Sequence, residues 1–288
     1  MFFLIHKPRG LSSFSAIAHL RKKFGIKKVG HTGTLDPLAT GLLLVATGGS
    51  TKLISYLDKA RKTYVFTARL DGWTASGDLD QPVQLLDSDV LEIARKTLTF
   101  EKIEEILRSD FLGNIKQTPP AHSAIWIDGQ RAYDLARRGE TVDIPERSVE
   151  IYSIRLLDFS FPEVTIEAEV SAGTYIRSIA RDLGEKLGLS GYVTRLHRSR
   201  IGTLGEELST RLDDIELTDA ISYEVLFPDF PVIAPSAETI QDIRAGLIFD
   251  NTLNLEIGKK YLVKEGDIFA SLIEEREGSV RVCANGIE

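Results

Sequence analysis

The run Gly30-His31-Thr32-Gly33-Thr34-Leu35-Asp36-Pro37-Leu38-Ala39-Thr40-Gly41 constrains this chain more than any other stretch. Its twelve residues hold three glycines, three threonines, a histidine, a proline and one carboxylate. The apolar stretch Leu42-Leu43-Leu44-Val45-Ala46 follows at once and reads as a buried strand. A glycine-rich turn that runs straight into the core leaves Asp36 little freedom of position. That residue is the only acid among the first 57, and Arg21, Lys22, Lys23, Lys27 and Lys28 precede it. The residues alone support two readings. Asp36 is a nucleophile or base presented to a polyanion, or it belongs to an Asp-Pro turn of the kind both residues favour for local reasons.

Charge bears on that choice. The net charge of −7 speaks against nucleic acid until its distribution is considered. Residues 1–62 hold eleven Lys/Arg against two acids, and residues 172–200 hold six against two, so the acidic excess lies elsewhere. Segregation on this scale fits one face meeting phosphates. Lys7, Lys22, Lys23, Lys27, Lys28, Lys62, Arg198 and Arg200 are the candidate contacts. Solvated basic faces are the plainer reading of the same pattern. No apolar run reaches the 18 or more residues of a membrane span, and the short apolar start Phe2–Ile5 lacks a basic leader. The lone Cys283 leaves no internal disulfide or cysteine cluster, and the five histidines show no paired ligand spacing. The expectation is a cytoplasmic protein without a metal.

Order along the chain suggests an α+β architecture, with strands and helices mixed but without βαβ regularity. Phe2 to His6 reads as a strand. Ser12 or Ser13 caps a helix to Phe24 with an apolar stripe of Phe14, Ile17, Ala18 and Phe24, and Gly25 stops it. Residues 62–70 alternate as a strand that puts Tyr64, Phe66 and Ala68 on one face. Strands are also expected at 123–127, 148–161, 163–171 and 191–200. Helices are expected at 89–98, 100–108, 132–138 and 175–187, with short helical pieces at 212–217 and 220–226. Phe227 to Pro235 holds three of the ten prolines and reads as a linker to a small β-rich module.

Five motifs in order then point one way. Gly30-His31-Thr32-Gly33-Thr34-Leu35-Asp36 is accompanied by His6-Lys7-Pro8-Arg9-Gly10 and Lys62-Thr63-Tyr64. Gln117-Thr118-Pro119-Pro120-Ala121-His122-Ser123-Ala124 and Gly173-Thr174-Tyr175-Ile176-Arg177 follow. Together they resemble the TruB family, the tRNA pseudouridine-55 synthases, over roughly residues 1–205. The resemblance implies a pseudouridine-synthase fold: a mixed, largely antiparallel sheet flanked by helices and loops, with a PUA-like C-terminal module. It implies a catalytic domain at 1–230, an RNA-binding insertion at about 112–139, and the small domain at 236–288. Asp36 matches the family's catalytic aspartate. Arg177 matches the arginine that pairs with it and lowers its pKa, and Tyr64 the tyrosine that stacks on the base. His31, Thr34, Tyr175 and Leu196 fall at substrate positions.

The same resemblance implies isomerisation of uridine 55 in the tRNA T-arm, with no cofactor, by a monomer that needs no protein partner. Lysines usual in the family are replaced by Trp126 and Ala172, and the loop Thr74–Gln81 lacks its final glycine. Trp126 then offers stacking where a cation is lost. Two related readings stay open: a relative that modifies another RNA within a guide-RNA particle, and a tRNA-folding chaperone in which binding outweighs catalysis. A phosphate-binding metabolic enzyme would need cofactor motifs that the chain does not show.

Overall fold

A computed structural model describes every residue except 124, 128, 141 and 288. The expected strand at 123–127 and the last residue of the Gln117–Ala124 motif therefore fall partly outside the described residues. Trp126–Ile127 pairs with Gln130–Arg131 as a short hairpin.

Among the described residues a ten-stranded mixed sheet organises the chain. Its main path runs Thr210–Arg211, Phe2–Lys7, Thr40–Thr47, Tyr192–Ile201, Lys62–Arg69, Glu163–Val170, Arg147–Ser160 and Gly113–Gln117. Val29–Thr32 pairs antiparallel with Thr40–Thr47, so the glycine-rich run is a β-hairpin with Asp36 in its connection. Most neighbours are antiparallel. The 40–47 and 192–201 strands instead meet in parallel over Thr40–Gly41 and His197–Arg198. Gly41 makes that splice possible: its φ is +96°, and a Cβ there would lie 2.3 Å from the Arg198 carbonyl oxygen.

The Ser13–Phe24 helix begins and ends as its sequence suggests, with Ser12 Oγ accepting from the Ser15 N–H at 3.0 Å and Gly25 left-handed at φ 65°. The expected apolar stripe holds only in part: Ile17 is buried and Phe24 stacks on Phe3, but Phe14 and Ala18 fall outside it. Ser13, Ala16, Ile17 and Leu20 face inward against Phe3, Ile5 and Leu43, while Phe14 is 69% exposed and Ala18 faces solvent. Leu20 rather than Phe14 sets the buried face, because i, i+3, i+4 and i+7 from Ser13 coincide with the sheet. The expected helical piece at 212–217 is instead a turn followed by the 3-10 turn Leu217–Asp219. Leu212 and Ile215 are buried there, and Asp219 accepts from the Glu216 N–H at 2.8 Å.

A second sheet of five strands carries the C-terminal residues, with the helix Ala237–Ala245 beside it. Residues 227–235 do not run free as a linker. Phe227 stacks on Phe230 and meets Phe2 edge-on, and Val232–Ile233 pairs with Leu262 and Val263. Leu262, Phe269, Leu272 and Ile287 share one core with Phe2, Leu4, Leu42 and Leu44 of the large sheet. Ser50 and Tyr223 both donate to the Ile287 carbonyl at 2.8 Å, closing the seam. No helix among the described residues is long and apolar enough to cross a membrane.

Candidate active site

Asp36 is held from below and behind. Leu35, Leu38 and Ala39 sink into the core beneath the hairpin connection. Ser13 clamps it through one hydroxyl, accepting from the Leu35 N–H at 2.8 Å and donating to the Leu35 carbonyl at 3.0 Å. The Gly10 N–H donates to the Pro37 carbonyl at 2.8 Å. Lys7, buried at the end of the first strand, donates to the carbonyls of Leu11 at 2.6 Å and Pro8 at 2.9 Å. Burial pushes its ammonium down to about 8, against the pull of Asp36. The expectation of Lys7 as a phosphate contact is corrected: it is buried and fastens the Pro8–Leu11 turn, with a longer contact of 3.5 Å to the Pro37 carbonyl beside Asp36.

Arg177 comes from the first turn of the helix Ile176–Lys186 and is 5% exposed. Its Nη2 donates to Asp36 Oδ1 at 3.1 Å, and its Nε stands 2.9 Å from Oδ2. It also donates to the carbonyls of Ser76 at 2.7 Å and His122 at 3.0 Å. Asp78 is the second acid at this cation, with Oδ2 3.7 Å from the Arg177 Nε. Ser76 Oγ and the Asp80 N–H donate to Asp78 Oδ1 at 2.6 and 3.0 Å. Gly77, at φ +77°, brings this loop against the Arg177 side chain. Asp78 belongs to the loop Thr74–Gln81, where a carboxylate directly after Ser76 and Gly77 was a usable signal.

The charge balance at Asp36 differs from the expected one. Arg177 does favour the carboxylate, but burial outweighs it, and Asp78 and Asp80 add to the upward push. The Asp36 carboxyl therefore lies above its ordinary range. Its side chain still keeps 30% of its exposure, through the mouth of the cleft.

That cleft has a volume of about 840 Å³ and is lined by His31, Thr34, Tyr64, Tyr175, Leu196 and Arg198 besides the Asp36–Arg177 pair. Tyr64 projects from the 62–69 strand, and its hydroxyl accepts from Arg198 Nη1 at 3.2 Å. Tyr175 is fixed through its backbone by Gln117, which donates to its carbonyl at 3.1 Å and accepts from its N–H at 2.8 Å. The Arg147 guanidinium covers the Tyr175 ring at 4.6 Å. Burial holds the His31 imidazole below its usual pKa, which favours the neutral ring, and its Nδ1 has no hydrogen-bond partner among the described residues. Tyr133 and Arg137 add to the lining.

The candidate cations divide into two sets. Lys22, Lys27, Lys28 and Arg200 are exposed, as is Lys23, which pairs with Glu216 at 3.2 Å. Arg198 and Lys62, the other two candidate phosphate contacts, are buried. Arg198 donates to the carbonyls of Leu42 at 2.7 Å and Gly33 at 3.0 Å. Lys62 donates to the Asp58 carbonyl at 2.6 Å, and burial pushes its ammonium down to about 8. Both line the cleft, so they face its contents rather than an outer surface. Ala172 is exposed at the rim. Trp126 is 62% exposed, with the Arg131 guanidinium 4.2 Å over its ring.

A carboxylate is thus paired with a buried arginine in the lining of one cleft. The model of the TruB family pseudouridylate synthase N-terminal domain matches residues 21–176. The chain belongs to the TruB family. The tRNA pseudouridine synthase B of Corynebacterium diphtheriae is 36% identical to it, over 84% of this chain and 82% of its own length. That of Fusobacterium nucleatum is 43% identical, over 69% of this chain and 67% of its own.

Among solved structures, "Crystal Structure of a Cbf5-Nop10-Gar1 Complex" aligns at TM-score 0.65 and 23% identity. "Structure of H/ACA RNP bound to a substrate RNA containing 2'-deoxyuridine" aligns at 0.64 and 22%, and each alignment covers all of this chain and 83% of the other. At that identity the likeness establishes the fold, a pseudouridine-synthase sheet with a small C-terminal sheet domain. Within this TruB-family chain, Asp36, Tyr64 and Arg177 meet at one cleft. Lys22, Lys23 and Arg200 are not among its lining residues.

Proposed function

We propose that this chain isomerises uridine 55 in the T-loop of tRNA to pseudouridine, with Asp36 as the nucleophile. The observation that carries the reading is the Asp36–Arg177 pair in the lining of the cleft, beside Tyr64. The names of the relatives, tRNA pseudouridine synthase B, support the substrate class. The reaction breaks the bond from C1′ to N1, turns the base, and forms a bond from C1′ to C5. The C5 proton leaves and N1 gains one, so oxidation state is unchanged and the chemistry needs no redox partner. Attack by a carboxylate divides this exchange into two easier steps.

In this reading Arg177 orients the carboxylate, and the Tyr64 ring packs on the base with its hydroxyl held by Arg198. Tyr175 and Leu196 close the base pocket, and His31 and Thr34 meet the nucleotides turned out of the loop. Turning a stacked uridine out costs a few kcal/mol, which contacts of this kind offset. Lys22, Lys23 and Arg200 contact phosphates around the cleft, with Lys27 and Lys28. We further propose a catalytic domain at 1–230, its insertion at about 112–139 closing over the T-loop, and a small domain at 236–288. The protein acts in the cytoplasm as a monomer without a protein partner.

Tritium release from C5-tritiated uridine in an unmodified tRNA transcript tests this. Wild type releases tritium, while Asp36→Asn binds the tRNA and releases none. Binding by both proteins with release by neither would move the assignment to a tRNA chaperone or another RNA target.

A further inference from the structure

His6 and His197 lie far apart in sequence, which hides them from any reading of ligand spacing. The sheet brings them together. His6 pairs across the strand ladder with Leu42, and His197 pairs with Thr40 on the other side of the same strand. Leu42 and Thr40 are two residues apart, so both histidines stand on one face of the sheet. Their ring centroids are 5.8 Å apart. His197 alternates with Leu196 and Arg198, which line the cleft, so its face is turned away from Asp36. Glu206 arrives from the short return Leu204–Gly205, whose register against Arg200 and Ile201 is fixed.

We infer that His6, His197 and Glu206 form a binding site for a divalent transition-metal ion of the zinc type. Their donor atoms all lie within 4.8 Å of one another. Glu206 Oε1 is 2.9 Å from His197 Nε2 and 4.0 Å from His6 Nε2. Nitrogen and oxygen donors about 2.1 Å from a tetrahedral ion stand about 3.4 Å apart, between these two separations. All three side chains keep roughly a third or more of their exposure, so small rotations even out the spacing. Thr40 Oγ1 lies 2.8 Å from His197 Nδ1, an outer contact that orients a metal-binding imidazole and leaves Nε2 for the ion.

Two imidazoles and one carboxylate suit zinc, cobalt or nickel better than magnesium or calcium, and three protein donors leave a fourth position for water. The ion fastens the first strand to the 192–201 strand beside the splice of Gly41 and Arg198. A plain hydrogen bond between His197 and Glu206 would need no His6, whereas the metal site needs all three residues.

Titration of chelator-treated protein with Zn(II), followed by calorimetry, tests the site. Wild type binds one Zn(II) per chain, and Co(II) in its place gives visible absorption of the tetrahedral type. His6→Gln and His197→Gln each weaken Zn(II) binding at least tenfold, and Thr40→Val weakens it by about tenfold. His19→Gln, elsewhere on the surface, leaves it unchanged. Zn(II) at a hundredfold excess over its Kd raises the wild-type melting temperature and not that of His6→Gln. Absence of stoichiometric binding, or equal affinity in His6→Gln and wild type, overturns the proposal. Should a variant fail to fold, zinc-edge absorption of the loaded wild type decides. Two imidazoles with oxygen ligands support the site, and any other ligand set refutes it.

Discussion

Arg177 and Arg198 both line the cleft and are both buried, 5% and 1% exposed, yet their partners differ in kind. Arg177 meets charge: the carboxylate of Asp36 at hydrogen-bond distance and that of Asp78 just beyond it. Arg198 meets dipoles: the carbonyls of Gly33 and Leu42 and the hydroxyl of Tyr64. Substituting the first should alter what Asp36 does, and substituting the second should alter whether the cleft keeps its shape.

The largest expected effect follows from replacing Arg177 by lysine. The charge survives, but the planar fork that reaches both Asp36 oxygens does not. A misplaced nucleophile costs about 10²-fold or more in rate. We expect single-turnover pseudouridine formation by Arg177→Lys to fall by about that factor, with tRNA affinity within a few-fold of wild type. A loss smaller than tenfold would show that Asp36 is oriented without the fork.

The Arg198 side of the comparison is broken by stability measurements. Arg198→Met removes the donor to the buried Leu42 carbonyl and the Tyr64 hydroxyl, besides that to the carbonyl of the exposed Gly33, at about 1–3 kcal/mol for each buried group left unsatisfied. Its urea midpoint should drop correspondingly, while the activity of the folded fraction falls less than in Arg177→Lys. Gly41→Ala attacks the same splice through the backbone and should cost about 3 kcal/mol or more, since strain at φ +96° adds to the clash with Arg198. Equal midpoints for Gly41→Ala and wild type would mean that the parallel junction yields without strain.

The contrast also explains what could be read in advance. The Asp36 turn and the strand after it were legible because their signals are local: turn residues, glycines and an apolar run directly after; the strand Val29–Thr32 that completes the hairpin was not read. The partnership of Asp36 with Arg177 spans 141 residues and became visible only through the resemblance of both motifs to one family. The burial of Lys7 and Arg198 was not read from their charge. Strand alternation held the signal, since Lys7 shares its face with Ile5 and Arg198 shares its face with Leu196. Asp78 went unassigned because an acidic loop has no period to betray burial, and the cluster of His6, His197 and Glu206 because only strand register unites it.

A subtler test concerns the acids around Arg177. Asp36 must be ionised to attack, and its carboxyl is raised by burial, with Asp78 and Asp80 pushing the same way against Arg177. The rate should therefore rise with pH through a limb above the ordinary carboxylate range. Asp78→Asn keeps the oxygen that accepts from Ser76 and removes one negative charge. Its acid limb should move to lower pH. A limb that stays in place would mean that Asp78 acts on Arg177's position alone and not on the charge of Asp36.

The smallest effect separates function from stability at one residue. A carboxyl whose pKa is raised on folding binds its proton more tightly in the native state than in the unfolded chain. Stability is then full below the unfolded value near 3.8 and is lost progressively as pH rises through the folded value. At neutral pH the ionised Asp36 thus works against the fold it serves, because Arg177 offsets only part of the cost of burying it. Asp36→Asn should abolish tritium release and yet melt slightly higher than wild type at pH 7. That advantage should shrink toward zero as pH falls below the usual carboxylate range. If Asp36→Asn instead melts lower at pH 7, the ion pair with Arg177 outweighs burial, and Asp36 stabilises the cleft as well as acting in it.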